Sequence, residues 1–244
     1  MKEFILLKQT FEIEIINEQE MAELAILTGQ IIKSNDILLL KGEIGAGKSY
    51  FSRKLIQSQQ TFPEEVPSPT FTLVQTYETK LGEIWHVDLY RLTSAEGLIE
   101  LGLSEAFDEK ICLIEWPELA LDIVPETSLS LEILITAEQE RKVKFSWASS
   151  DSWAKRIEKI SESYNEEKLK EYGMTFIFAG TEADDDSKLH TVIHFESEAH
   201  LQRFHQDEEL TRRRAEAGAI VETGTFTPIS NEAFTNYPSA LHLK

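Results

Sequence analysis

Cysteine is nearly absent from this 244-residue chain, basic side chains are scarce, and long apolar runs are missing. The single thiol, Cys112, forbids an intrachain disulfide and suits a reducing compartment. At 41% hydrophobic content the chain has ample material for a packed core without cross-links, so wholesale disorder is excluded. Only 24 basic residues stand against 43 acidic ones, a formal net charge of −19, and neither side of residue 155 is basic. A protein that grips nucleic acid neutralises phosphates with a Lys/Arg stripe, and none occurs here. Acidity of this kind keeps a protein soluble or presents an acidic face to a basic protein partner. Apolar runs such as Ile37-Leu38-Leu39-Leu40 are far too short to span a bilayer. The stretch from Met1 to Ile16 carries acids and no small-residue cleavage site. The expectation is a cytoplasmic chain with no membrane association. Internal repeats and low-complexity tracts are also missing.

What is present has a clear order. Phe11-Glu12-Ile13-Glu14-Ile15 alternates as a half-buried strand, and Asn17 caps a helix whose apolar positions Met21, Leu24, Ala25, Leu27 and Ile31 recur at helical spacing. A buried strand over 36–40, a glycine-rich turn and a helix over 49–58 follow. Further strands are expected over 71–77, 84–89, 111–115, 129–136 and 142–147, which together predict an α/β sheet with flanking helices. After Trp147 the small polar run 148–152 marks a seam. Beyond it Trp153, Ile157, Ile160 and Tyr164 form one helical stripe, read as a linker helix over 151–172. Residues 173–244 then read as a small α+β module: strands over 174–179 and 188–195 around an acidic turn at Asp184–Asp186, a helix over 197–217, and a last strand over 219–226.

Gly42-Glu43-Ile44-Gly45-Ala46-Gly47-Lys48-Ser49 matches G-x-x-x-x-G-K-[ST] between a buried strand and a helix, the context that motif requires. Its glycines let backbone N–H groups from Glu43 through Ser49 turn inward around phosphates. Lys48 reaches the outer phosphates, the Ser49 hydroxyl ligates Mg²⁺, and the helix N-terminus favours the anion. Such a loop needs an acid at a neighbouring strand end to manage the metal and another group to orient water. Glu115 ends Ile111-Cys112-Leu113-Ile114, and Asp88 ends Ile84-Trp85-His86-Val87, so both are candidates. Between loop and strands, Ser68-Pro69-Thr70-Phe71-Thr72 places hydroxyls in a proline-stiffened segment, as a loop sensing the terminal phosphate would.

The succession GEIGAGKS, VPSPTFTLVQTYE, HVDLYRL, ELGL and ICLIEWPE, over about residues 10 to 147, resembles the TsaE (YjeE) family, bacterial ATPases of the tRNA threonylcarbamoyladenosine pathway. The resemblance implies a P-loop ATPase that uses ATP and Mg²⁺. Lys48 and Ser49 would hold nucleotide and metal, Glu115 would be the metal-associated acid, Asp88 would support hydrolysis, Thr70 would belong to the switch, and Trp116 would follow the acid. It implies two protein partners, TsaD and TsaB, with tRNA met only through their complex, which ATP use would reset between turnovers. Ser49 stands where the family usually has threonine and keeps the hydroxyl. Tyr50 stands where a smaller residue is usual and would border the nucleotide. Two alternatives remain at this stage: a small-molecule kinase on the same scaffold, against which no arginine-rich lid occurs between Glu118 and Arg141, and a nucleotide-dependent binding module that hydrolyses little.

The resemblance does not cover residues beyond about 150. In that part His190 and His194 share a strand face about 13 Å apart, too far to chelate one ion. His200 and His205 lie off the i, i+4 spacing of a helical ligand pair, so all four are expected to be packing or surface histidines. Asp184–Asp186 lacks the ligand spacing and glycine of a calcium loop. Arg212-Arg213-Arg214 reads as a solvated helix face among Glu208, Glu209 and Glu216. The pattern is faintly similar to ferredoxin-like modules of dimeric α+β barrels, which implies a homodimer or docking element without a catalytic motif.

Overall fold

Strand alternation followed by a capped helical repeat yields β1 (Lys8–Ile15) and α1 (Glu18–Ile31) in the computed structural model, which describes residues 8–94, 96–148, 153–171, 173–182 and 185–206. Asn17 Oδ1 accepts the Glu20 N–H at 2.9 Å, and Glu20 Oε2 accepts the Ile16 N–H at 3.1 Å, a reciprocal cap that fixes where the helix starts. Then come β2 (Ile37–Lys41), α2 (Lys48–Gln59), the hairpin β3 (Val74–Thr79) and β4 (Gly82–Asp88), and the short helices α3 (Glu96–Glu100) and α4 (Leu103–Glu109). β5 (Ile111–Glu115), a 3-10 turn (Pro117–Ala120), and the pair β6 (Leu129–Ile135) and β7 (Arg141–Ala148) complete the sheet.

The seven strands lie in the order β1-β7-β6-β2-β5-β4-β3. β2 is central and parallel to β5 and β6, β4 is parallel to β5, and the outer pairings are antiparallel. Central parallel strands are buried on both faces, which is why β2 and β5 are continuous apolar runs. Their alternate side chains feed two cores. Leu38 and Leu40 join Leu24, Phe51 and Leu55 from α1 and α2 on one face, and Ile37 and Leu39 join Leu98, Leu103 and Phe107 from α3 and α4 on the other. Ile84, Ile111 and Leu113 belong to the first core, so their even-spaced successors His86, Asp88 and Glu115 emerge on the same face, that of α2. The expected α/β architecture is therefore present, with helices on both faces.

Two local differences from expectation have plain causes. The strand expected from Phe71 begins at Val74, because the turn holds on through Leu73, whose N–H bonds the Pro69 carbonyl at 2.7 Å with φ at 64°. α3 and α4 were not foreseen; they are five and seven residues long, below the length at which periodicity speaks.

The helix after the seam, α5, spans Trp153–Glu171. Its stripe Trp153, Ile157, Ile160 and Tyr164 is buried in the first core, and the compact unit extends to Glu167. Trp153 Nε1 donates to the Thr127 carbonyl at 2.7 Å, and the Tyr164 hydroxyl donates to Glu14 O at 3.1 Å and to Glu20 Oε2 at 2.9 Å. The Arg156 guanidinium pairs with both oxygens of Asp36 and stacks 3.5 Å from the Trp153 ring centroid.

The second unit, described on its own, starts at Lys168. It holds an antiparallel pair, β8 (Met174–Glu182) and β9 (Asp185–Phe195), with irregular register near Phe176 and Thr181, then α6 (Glu198–Gln206). The Phe195 and Phe204 rings meet at 5.3 Å, and His200 Nδ1 lies 3.0 Å from Ser197 Oγ at the helix start. His194 is exposed, and no group of three metal-ligating side chains occurs among the described residues. Asp184, the arginine run 212–214 and the expected strand over 219–226 lie outside the described residues.

Candidate active site

The loop between β2 and α2 starts at Gly42, whose φ is 136°, and a Cβ there would stand 2.4 Å from the Ile133 carbonyl oxygen. Only glycine fits both the dihedral and the space. Gly45 and Gly47 are also at positive φ, so the chain curls around its own backbone N–H groups before α2 begins. Ala46 is buried beneath the curl, whereas Glu43 and Ile44 are exposed on its outer side. From β7 the Arg141 guanidinium clamps the loop from outside: Nε donates to Ala46 O at 3.1 Å and a terminal nitrogen to Gly45 O at 3.3 Å.

Lys48 opens α2 and is buried, its ammonium donating to Gly42 O at 2.7 Å and Glu43 O at 2.8 Å. The same nitrogen sits 4.0 Å from the centroid of Trp116, which is aimed back over the loop because it leaves β5 with φ at 55°. Burial pulls the Lys48 pKa below its ordinary value, a tendency opposed by the negative charges of Glu115, Asp88, Glu118 and Glu43.

Ser49 and the two strand-end acids are joined by a row of close hydroxyl contacts, in which the one Ser68 proton serves either Ser49 or Thr70. The Ser49 hydroxyl donates to Glu115 Oε2 at 2.8 Å and lies 3.3 Å from Ser68 Oγ. Ser68 and Thr70 hydroxyls are 2.8 Å apart, and Thr70 Oγ1 donates to Asp88 Oδ2 at 2.7 Å. Asp88 Oδ1 also accepts the Tyr90 N–H at 2.9 Å. Asp88 and Glu115 are direct register partners at the ends of β4 and β5, each only 2% exposed. The structure thus brings Lys48, Ser49, Thr70, Asp88 and Glu115 into one cluster. The Tyr50 side chain packs against the first core, and its phenol pKa is raised by burial first and by the neighbouring Glu18 second.

Three contributors escaped the sequence reading. His86, fully buried, places Nε2 2.7 Å from Glu115 Oε1. Strand alternation was the available signal, since His86 and Asp88 are two apart in one strand. Ser68 was seen only as one hydroxyl of its loop, not as the link between Ser49 and Thr70. Arg141 carried no signal of its tie to the loop, because Gly45 and Ala46 lie almost a hundred positions away, while its other bonds go to carbonyls of its own turn at Ala137, Glu138 and Glu140.

Comparison with known proteins gives the family and the fold. Residues 15–143 match the family described as Threonylcarbamoyl adenosine biosynthesis protein TsaE. The chain is 40% identical over 136 residues to the tRNA threonylcarbamoyladenosine biosynthesis protein TsaE of Rickettsia felis, covering 56% of this chain and 80% of that protein. It is 32% identical over 131 residues to the protein of the same name from Bacillus subtilis, covering 53% and 81%. Among solved structures it resembles YdiB of Bacillus subtilis with a TM-score of 0.52 at 25% identity, over 66% of this chain and 98% of that one. The seven-stranded sheet and its flanking helices are those of a P-loop nucleoside triphosphatase.

Proposed function

The chain belongs to the TsaE family, and on that premise we propose that it hydrolyses ATP with Mg²⁺ at the loop 42–49 to drive the TsaB–TsaD complex through repeated cycles of tRNA threonylcarbamoyladenosine formation. Membership places the chain in threonylcarbamoyl adenosine biosynthesis; hydrolysis and its coupling to partners are the proposal. The observation that carries it is the convergence of the Ser49 hydroxyl on Glu115 and of the Thr70 hydroxyl on Asp88, with Ser68 in contact with both hydroxyls.

The residues present suit the group they would hold. A hydroxyl and a carboxylate oxygen 2.8 Å apart are the hard donors magnesium takes while keeping several waters. Bound there, the ion would neutralise charge on the outer phosphate oxygens. Lys48 would exchange one of its two backbone carbonyl contacts for phosphate and stabilise the charge that develops in the transition state. Backbone N–H groups of 43–49 would cradle the chain of phosphates. Asp88 would orient the attacking water, whose oxygen bonds the γ-phosphorus as the bond to the β-phosphate oxygen breaks, giving ADP and phosphate. Thr70 reports the change, because its hydroxyl is shared between the Asp88 carboxylate and the loop 68–72. A nucleotide shifts that loop only by its differential affinity for two arrangements, so the output requires a partner that reads them differently. The TsaB–TsaD pair is that partner in this reading.

Multiple-turnover formation of threonylcarbamoyladenosine on tRNA by TsaB and TsaD, with ATP supplied, tests the reading. The intact chain is expected to stimulate product formation and Lys48→Ala to give none. No stimulation, with both partners active, removes the assignment.

A further inference from the structure

His86 is the one side chain of the cluster buried without any exposure, and it touches the metal-side acid and not the loop. Its Nε2 stands 2.7 Å from Glu115 Oε1, while Ser49 donates to the other oxygen, Oε2. Its Nδ1 has no hydrogen-bond partner among the described residues. A proton on Nδ1 would be stranded, and an acceptor carboxylate needs a donor, so the ring carries its proton on Nε2 and donates it to Glu115. One oxygen of Glu115 is thereby held on the protein side and one faces the place where the metal would sit.

That division has a chemical consequence. Magnesium is small, demands near-octahedral geometry and takes one oxygen per carboxylate, whereas calcium accepts six to eight oxygens and readily takes both oxygens of one carboxylate. For Glu115 to offer both oxygens to one ion its carboxylate must turn, which breaks the bond from His86 and leaves a fully buried N–H without an acceptor. We infer that His86 is a positioning residue that restricts Glu115 to a single outward oxygen and so makes the nucleotide site discriminate magnesium from calcium. The inference rests on the reading of residues 42–49 and 115 as an ATP and Mg²⁺ site, and it assigns the origin of that site's metal selectivity.

The test uses the full chain and a fluorescent ATP analogue, with the dissociation constant measured in saturating Mg²⁺, in saturating Ca²⁺ and with metal chelated. Wild type is expected to bind more tightly with Mg²⁺ than with Ca²⁺. His86→Leu, which keeps bulk and removes the donor, is expected to lower that preference roughly tenfold, the size typical of a lost partner behind a metal ligand. His86→Gln, which presents an amide N–H at similar reach, is expected to restore most of it. Equal weakening in both metals, an unchanged ratio, or a glutamine variant no better than leucine overturns the inference while leaving the ATPase reading in place. Wild-type binding that ignores chelation overturns both. A measurement on the unaltered chain guards against a variant that fails to fold: imidazole nitrogen NMR is expected to show Nε2 protonated before and after Mg²⁺ and nucleotide are added. A proton found on Nδ1, or lost from Nε2 when Mg²⁺ binds, overturns it as well.

Discussion

The two ends of β2 hold two buried polar clusters that look alike on paper and differ in kind. At the upper end, where β2 runs into the loop 42–49, Lys48, Ser49, His86, Asp88 and Glu115 sit together, nearly all of them out of solvent. At the lower end Asp36, just ahead of β2, pairs with Arg156 of α5, which is stacked on Trp153. The lower cluster is closed in charge, one guanidinium on one carboxylate, although Arg156 Nε is buried without a partner among the described residues. Both Asp36 oxygens take the guanidinium, and the Lys33 N–H bonds the same carboxylate at 2.6 Å. The upper one is open in charge: one ammonium, resting on carbonyls of its own loop, stands among two carboxylates, Asp88 and Glu115. Buried polar nitrogen without a partner among the described residues marks both places, His86 Nδ1 above and Arg156 Nε below; an imbalance of charge marks only the upper one. An ion pair whose charges balance reads as an anchor for α5, and a set with more carboxylates than cations at the mouths of parallel strands reads as a site for a cation.

Removing one cation from each end separates these roles most sharply. Lys48→Ala is expected to lower ATP turnover by about a thousandfold, the range for loss of a preorganised transition-state donor. Its melting temperature should hold or rise, since a buried ammonium with a lowered pKa disfavours the folded state while it stays charged. Turnover assays and calorimetry on the same preparation check both halves; a large drop in stability would make Lys48 an anchor like Arg156. Arg156→Met is expected to do the reverse, costing about 3 kcal/mol by leaving the Asp36 carboxylate without its cation. Turnover per folded molecule should change little. Denaturant unfolding reads the first quantity, and an intact stability would show that the lower cluster is as open as the upper.

A third change probes the upper cluster from within. Asp88→Asn can keep the Thr70 hydroxyl contact through its amide oxygen, at the expense of the bond from the Tyr90 N–H, and removes the charge that would orient water. Hydrolysis is expected to fall by about a hundredfold with nucleotide affinity within a few-fold of wild type. Lost affinity would move Asp88 from water to the metal or the fold.

How much of this was legible beforehand follows the same division. Residues that act through local pattern could be read from the chain: the loop 42–49 from its glycines and context, Glu115 and Asp88 from apolar strands that stop in an acid, and Asn17 from a cap ahead of a helical repeat. The stripe on α5 was equally visible, but its destination was not. Trp153, Ile157, Ile160 and Tyr164 announce a helix with one buried face, and only the three-dimensional fold places that face in the first core. Residues that act on distant partners were silent. Arg141 reaches Gly45 and Ala46, and Arg156 reaches Asp36, across separations at which no spacing rule operates. His86 lies between these cases, since its strand parity with Asp88 was readable but its partner sits on another strand. Strand order was likewise out of reach, because any of several parallel arrangements satisfies the same apolar runs.

Cys112 offers the smallest and most graded test of the comparison. It lies on β5 beside the lower cluster, its N–H bonding the Asp36 carbonyl at 3.0 Å, and its side chain is fully buried in the second core. Burial pushes the thiol pKa up to about 12. The thiolate is the reactive form, so in the native chain an alkylating reagent near neutral pH should label Cys112 only through opening of the sheet. The direction of the pKa change also fixes its effect on stability. A thiol whose pKa is raised by folding leaves stability untouched below its ordinary value near 9, and stability falls as pH climbs from there towards 12, because the unfolded chain ionises first. Labelling should therefore be slow in wild type and equally slow in Lys48→Ala, and it should quicken in Arg156→Met. Faster labelling in Lys48→Ala than in Arg156→Met would mean that the open cluster, not the closed one, holds the strands together, and the distinction between site and anchor would have to be reversed.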